Sequence, residues 1–180
     1  MITIVANAVK PRRVLDMSTT DHKSDGAERV RSAAGYDISP LSDSEKTSLA
    51  EALTDEERRV ILNQGTEPPF CGPLLDNNHE GIYACRLCGL PLFGAGEKFD
   101  SGTGWPSFTG PFDEGHIGYF HDDSHGMVRT EIRCRRCDGH LGHVFEDGPA
   151  RSGQRFCLNS VSLEFIPEGC ELPRRVEADL

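Results

Sequence analysis

Four of the chain's seven cysteines fall into two Cys-x-x-Cys pairs, Cys85/Cys88 and Cys134/Cys137. A two-residue gap lets both thiolates of a pair reach one ion, and two such pairs complete a tetrahedral set. Gly89 follows the first pair and Asp138-Gly139 the second; glycine allows the positive φ that such knuckles use. Four sulfur ligands favour zinc or iron. With every ligand position filled by protein, one structural Zn2+ per chain is the expected occupant, tying together segments that are distant in sequence. A thioredoxin-like redox pair is the rival reading, but that motif belongs beside a βαβ pattern, which the sequence lacks.

The remaining thiols are Cys71, Cys157 and Cys170. Around Cys157 the sequence reads Arg155-Phe156-Cys157-Leu158-Asn159-Ser160. In a strand the side chains alternate, so Arg155, Cys157 and Asn159 share one face while Phe156 and Leu158 point to the core. A guanidinium beside a thiol favours the nucleophilic thiolate; the alternative is an inert, buried cysteine. Upstream, His140 and His143 lie three apart, with Asp147 four further on. They could supply protons near neutral pH, bind a second metal, or simply face solvent. Trp105, the only tryptophan, sits in the stiff turn Gly104-Trp105-Pro106, as the wall of a pocket or as a cap on the core.

The elements that must position these groups are short. Ser42-x-x-Glu45 and Thr54-x-x-Glu57 are capping boxes that predict two brief helices, with Gly65 expected to stop the second. From Pro68 to Pro167 glycines and prolines punctuate short β-like runs: 82–84, 91–93, 107–109, 117–121, 127–133, 143–145 and 156–165. No long helical period separates them, so a parallel α/β sheet is excluded in favour of a mainly antiparallel β domain over residues 41–167. The apolar phase shifts after Asn159, as a bulge or burial on both faces would produce. Residues 1–40 are polar and aperiodic and are expected to form a disordered or extended tail, as are residues 168–180. Met17 opens the stretch MSTTDHK, which reads like a bacterial start.

Composition narrows the function further. Apolar residues make up 37% of the 180, a modest supply for a core, which a metal staple would supplement. The net charge of −10 offers no basic face for phosphate and disfavours nucleic acid and anionic membranes. No apolar run of spanning length occurs, and the N-terminal stretch lacks the apolar region of a secretory signal. A cytoplasmic location is therefore expected, and an odd cysteine count without such a signal argues against a disulfide framework.

Four segments, GTEPPFCGPLLDNNHEGIYACRLCGLPLF, KFDSGTGWPSF, RTEIRCRRCDGHLGHVFEDGP and RFCLNSVSLEF, resemble the B-type methionine sulfoxide reductases in content and order over about residues 55–166. The resemblance implies a zinc-stapled fold of two antiparallel sheets, reduction of methionine-R-sulfoxide, and recycling by thioredoxin. It implies that Cys157 is the nucleophile, with Arg155 and Asn159 around it, and that His140, His143 and Asp147 lie beside the substrate. Trp105 and Phe145 would enclose the sulfoxide methyl group. Where many members carry a second, resolving cysteine before GWPSF, this chain has Thr103. Cys71, resembling a subset of the family, is then the expected partner in a Cys71–Cys157 disulfide, with Cys170 as the fallback.

Overall fold

The computed structural model describes residues 29–149 and 153–173; Met17 and the expected features around it lie outside that range. Two short helices, α1 (Asp43–Ala50) and α2 (Asp55–Ile61), come first among the described residues. Both start at the anticipated capping boxes, in which Ser42 and Thr54 each exchange bonds with the glutamate three residues on. Each box satisfies two amides that the first turn leaves without partners. The stop differs from expectation: α2 ends at Ile61 with Leu62 as its C-cap, and Gln64, not Gly65, takes the left-handed backbone (φ 54°).

Nine strands follow among the described residues: β1 (Gly81–Cys85), β2 (Pro91–Gly94), β3 (Lys98–Phe99), β4 (Ser107–Phe108), β5 (Ile117–Asp122), β6 (Arg129–Cys134), β7 (His140–Phe145), β8 (Arg155–Leu158) and β9 (Leu163–Pro167). They make two antiparallel sheets, one of order β2-β1-β9 and one of order β3-β4-β8-β7-β6-β5. Aromatic side chains from both sheets interlock between them. Phe93 of the small sheet meets Phe108 (4.7 Å between ring centroids) and Phe156 (5.7 Å) of the large one, and Tyr83 meets Phe108 at 5.0 Å. All four side chains are fully buried, and each ring pair adds about 0.5–1.5 kcal/mol beyond its area term.

The apolar phase shift after Asn159 has a specific cause. The run expected at 156–165 is two strands in different sheets, β8 and β9, joined by a 3-10 turn at Ser160–Ser162. The chain changes sheet there, so the face that must be apolar changes with it.

Residues 29–40 also depart from the expected loose tail. Ile38 and Leu41 are buried, and Tyr36 packs edge-on to Phe112 and His116. Ser32 hydrogen-bonds to Nε2 of the buried His116 (2.8 Å), whose Nδ1 meets the Pro91 carbonyl (2.5 Å). The segment is polar in composition yet sets Tyr36 and Ile38 on the core while Val30 stays exposed, a choice that periodicity does not register.

Candidate active site

The large sheet places the reactive groups side by side. Cys157 lies opposite Ser107 of β4 and opposite His143 of β7. Phe156 and Leu158 are fully buried beneath it, while Cys157 keeps part of its surface open. Along the same face, Arg155 lies opposite Phe145, its guanidinium 4.5 Å from that ring's centroid. Gly142 lies where β7 crosses Cys157; a Cβ there would collide with the Cys157 carbonyl, so only glycine lets the strands pair this closely.

Residues three apart on a regular strand face opposite ways. His140 and His143 nevertheless sit together, 5.7 Å between rings, because β6 and β7 slip register between Ile132 and Arg133. The bulge turns His140 to the His143 side. Each imidazole rests on a carboxylate backed by an arginine. His143 Nε2 is 2.7 Å from Asp122 Oδ2, which also accepts from Arg129 at 2.6 Å. His140 Nδ1 is 2.6 Å from Glu131 Oε1, and Arg133 reaches the other oxygen at 2.7 Å.

Burial lowers both histidines below their ordinary value, and their carboxylate partners only partly offset it. Asp122 is pulled far below the carboxylate range by hydrogen bonds from Ser124 first and then His143, with Arg129 adding to the pull. Burial pushes Glu131 up, but Arg133 and His140 overcome it and hold it low. Both imidazoles are therefore neutral near pH 7, donating N–H to a carboxylate through one nitrogen and keeping a lone pair on the other.

Asp147 stands elsewhere than the sequence suggested. It forms a bidentate pair with Arg155 (2.8 and 2.9 Å), and the carboxylates that serve the histidines are Asp122 and Glu131. The thiol differs as well. Burial pushes Cys157 above its ordinary value, although Arg155 and hydrogen bonding from Thr103, Arg155 and Ser107 all pull the other way. Arg155, which also pairs with Asp147, does not offset that burial.

Asn159 is buried and faces inward, unlike Cys157. Its side-chain oxygen accepts the Glu67 N–H (2.9 Å) and its amide nitrogen donates to the Leu141 carbonyl (3.1 Å). Glu67 is a junction that sequence reasoning passed over. Its carbonyl accepts the Trp105 indole N–H (3.1 Å), and its buried carboxylate accepts the N–H groups of Ser160 (2.6 Å) and Val161 (3.2 Å). The segment that continues to Cys71 thus begins on the Trp105 turn and on the end of the Cys157 strand. Phe70 N–H donates to the Gly104 carbonyl (2.8 Å), and Cys71 is exposed at the outer edge of this loop. A cleft of about 210 Å³ beside Trp105 is walled by Phe70, Leu75, Phe99, Asp100 and Pro106. Cys170 is exposed, in the turn after β9.

Away from this face, Cys85, Cys88, Cys134 and Cys137 converge, all buried, with their sulfurs within 4.8 Å of one another. Cys85 and Cys137 are 3.6 Å apart, and Cys88 and Cys134 3.5 Å. Tetrahedral Zn–S bonds of about 2.3 Å place sulfurs about 3.8 Å apart, so the set fits such an ion. The two knuckles join the turn after β1 to the turn after β6, bracing the small sheet to the large one.

The SelR domain family matches residues 53–167, the stretch that carries the four clustered cysteines and Cys157. Three relatives bear the name peptide methionine sulfoxide reductase MsrB. That of Xylella fastidiosa (strain M23) is 59% identical over 138 residues, 77% of this chain and 89% of the relative. That of Caulobacter vibrioides (strain NA1000 / CB15N) is 56% identical over 142 residues, 79% and 89% respectively. The Photorhabdus laumondii protein is 54% identical over 123 residues, 68% and 90%. The chain belongs to the peptide methionine sulfoxide reductase MsrB family and is an oxidoreductase.

Proposed function

We propose that this protein reduces methionine-R-sulfoxide, free or within proteins, to methionine, and that Cys157 is the attacking group. The observation that carries the reading is the row Ser107–Cys157–His143 across three adjacent strands, which sets an accessible thiol opposite a neutral imidazole. Trp105 and Phe145 flank the row and offer an apolar seat for the S-methyl group; an open face of this kind also suits peptides.

One proton serves two purposes in this scheme. The Cys157 S–H proton passes to the free nitrogen of His143, leaving a thiolate and an imidazolium that Asp122 supports. The imidazolium gives that proton to the sulfoxide oxygen while the thiolate attacks sulfur. The hydroxyl then passes from the substrate sulfur to Cys157 as the new sulfur–sulfur bond breaks and its electron pair stays on the departing thioether, so sulfoxide and thiol become thioether and sulfenic acid, a two-electron exchange with atoms balanced. His140, held by Glu131, adds a second polar group beside the oxygen. Arg155, oriented by Asp147, supports negative charge on Cys157, and Asn159 fixes the strand end.

Cys71 then attacks the sulfenic sulfur, expelling water and forming a Cys71–Cys157 disulfide, which thioredoxin reopens by exchange. The exposed loop that carries Cys71 is anchored at Glu67, bonded to Asn159, and at Gly104, which supports this pairing. Zinc held by Cys85, Cys88, Cys134 and Cys137 is a structural brace, contributing folding energy and no chemistry. No helix among the described residues is long and apolar enough to cross a membrane, and a reducing cytoplasm is where free thiols of this kind persist.

The test is a single turnover. Cys157→Ser is expected to release no methionine from the R-sulfoxide while retaining zinc and fold. Methionine release by that variant removes the assigned role.

A further inference from the structure

We infer that the hydroxyls of Ser101, Thr103 and Ser107 close a hydrogen-bonded ring with the Cys157 thiol, and that this ring holds the sulfur's negative charge when it attacks. The inference rests on Cys157 being the attacking group.

The ring is set by geometry. Ser101 Oγ lies 2.8 Å from Thr103 Oγ1 and 2.8 Å from Ser107 Oγ. Ser107 stands directly opposite Cys157 in the β4–β8 ladder, so the three linked hydroxyls form one cluster beside the thiol, and Thr103 and Ser107 both pull toward the thiolate. Thr103 is carried in a tight turn between two left-handed glycines, Gly102 (φ 68°) and Gly104 (φ 90°). Asp100 pins the turn by accepting the Gly102 N–H (2.9 Å), and Ser101 Oγ faces the Thr103 N–H at 3.4 Å.

Each hydroxyl has one proton to give. With the thiol protonated, the ring can run in one direction. Cys157 S–H donates to Ser107, Ser107 to Ser101, Ser101 to Thr103, and Thr103 back to sulfur. When the proton leaves, Ser107 need only rotate its O–H from Ser101, or from the Trp105 carbonyl 3.2 Å away, onto the sulfur. Thr103 and Ser107 then both donate to the thiolate, and Ser101 goes on donating to Thr103. No group is added and no backbone moves.

The site needs such donors. Ser107 is fully buried, so water cannot solvate the sulfur from that side, and Arg155 is shared with Asp147. Hydroxyls already aimed at the sulfur take the place of solvent at the moment charge appears. The thiol proton ends on the sulfoxide oxygen, so the ring stabilises charge without consuming or releasing a proton. In this inference Thr103 and Ser107 donate to the reacting sulfur and are catalytic residues. Ser101 acts through them and is a positioning residue.

The test reads the sulfur without any sulfoxide present. At pH 8 the rate of iodoacetamide alkylation at Cys157, followed by mass spectrometry of its peptide, is proportional to the thiolate fraction. One hydrogen bond to a charged acceptor corresponds to about ten- to a hundredfold. Thr103→Val, nearly the same shape without a hydroxyl, is expected to slow alkylation by about that factor, and Ser107→Ala likewise. Thr103→Ser is expected to stay close to the parent rate. The inference is overturned if Thr103→Val alkylates at the parent rate, or if Thr103→Ser falls as far as Thr103→Val, which would make the loss one of packing. Failure of the underlying reading looks different: Thr103→Val slows alkylation, yet Cys157→Ser still releases methionine.

Discussion

Glu67→Ala tests how the site is held together. The carboxylate is 4% exposed and accepts two backbone N–H groups, from Ser160 at 2.6 Å and Val161 at 3.2 Å. These are amides of a 3-10 turn, which has no internal acceptors for its first donors. Truncation to alanine leaves both donors buried and unpaired, at about 1–3 kcal/mol each. Water entering the vacated space recovers part of this, so a net loss of about 3 kcal/mol is expected. For a chain of this size that corresponds to a fall in Tm of about 6–12 °C. Glu67→Gln keeps one acceptor oxygen and should lose about half as much. The backbone of residue 67 also holds the Trp105 indole and Asn159, so Glu67→Ala should raise KM as the turn shifts. Calorimetry and denaturant titration on the zinc-loaded protein measure the loss, with an unchanged m-value showing that the same folded unit unfolds. A Tm for Glu67→Ala within about 2 °C of the parent, or a larger loss for Gln than for Ala, would refute the reasoning.

Other outcomes follow from the same structure. Cys71→Ser should release about one equivalent of methionine and then stall with thioredoxin, since the sulfenic acid lacks its partner; sustained turnover would pass the resolving role to Cys170. Cys88→Ser should lose stoichiometric zinc and its cooperative unfolding transition, because three sulfurs cannot close the site; a stable, active, zinc-free variant would contradict the brace. Burial lowers His143 and raises Cys157 from their ordinary values, to either side of neutral pH, and the reactive state holds one proton between them. The kcat/KM of the first half-reaction should therefore be flat between these values, falling at lower pH as His143 charges and at higher pH as the shared proton is lost. A steep fall between pH 8 and 7 would contradict this. Asp122→Asn removes the charge beneath His143 and should slow the methionine burst about ten- to a hundredfold with zinc content unchanged.

The local grammar of the chain was legible in the sequence. The capping boxes, the paired cysteines and the alternation over Arg155–Leu158 are signals within a few residues, and the helices, the sulfur cluster and the half-open thiol follow them, whereas Asn159, just past the strand, turns inward. What stayed hidden is strand register. Period-two alternation says which face a side chain occupies, not which strand lies beside it. Asp122 is 21 positions from His143, and only the pairing of β5, β6 and β7 brings them together. Asp147, closer in sequence, instead meets Arg155 across the turn between β7 and β8. The change of sheet at Ser160–Ser162 left a phase shift in the sequence, but a shift alone does not distinguish a bulge from a crossover. Glu67 stood within a recognised segment, yet glutamate is so commonly solvated that nothing local marked it as buried.

The most direct measurement gives the reduced, zinc-loaded protein one equivalent of methionine-R-sulfoxide without thioredoxin, then counts methionine and maps disulfides in a proteolytic digest. One methionine per chain with Cys157 joined to Cys71 is the expected result. Methionine formed while Cys157 is recovered as a free, unmodified thiol would show that another group accepts the oxygen.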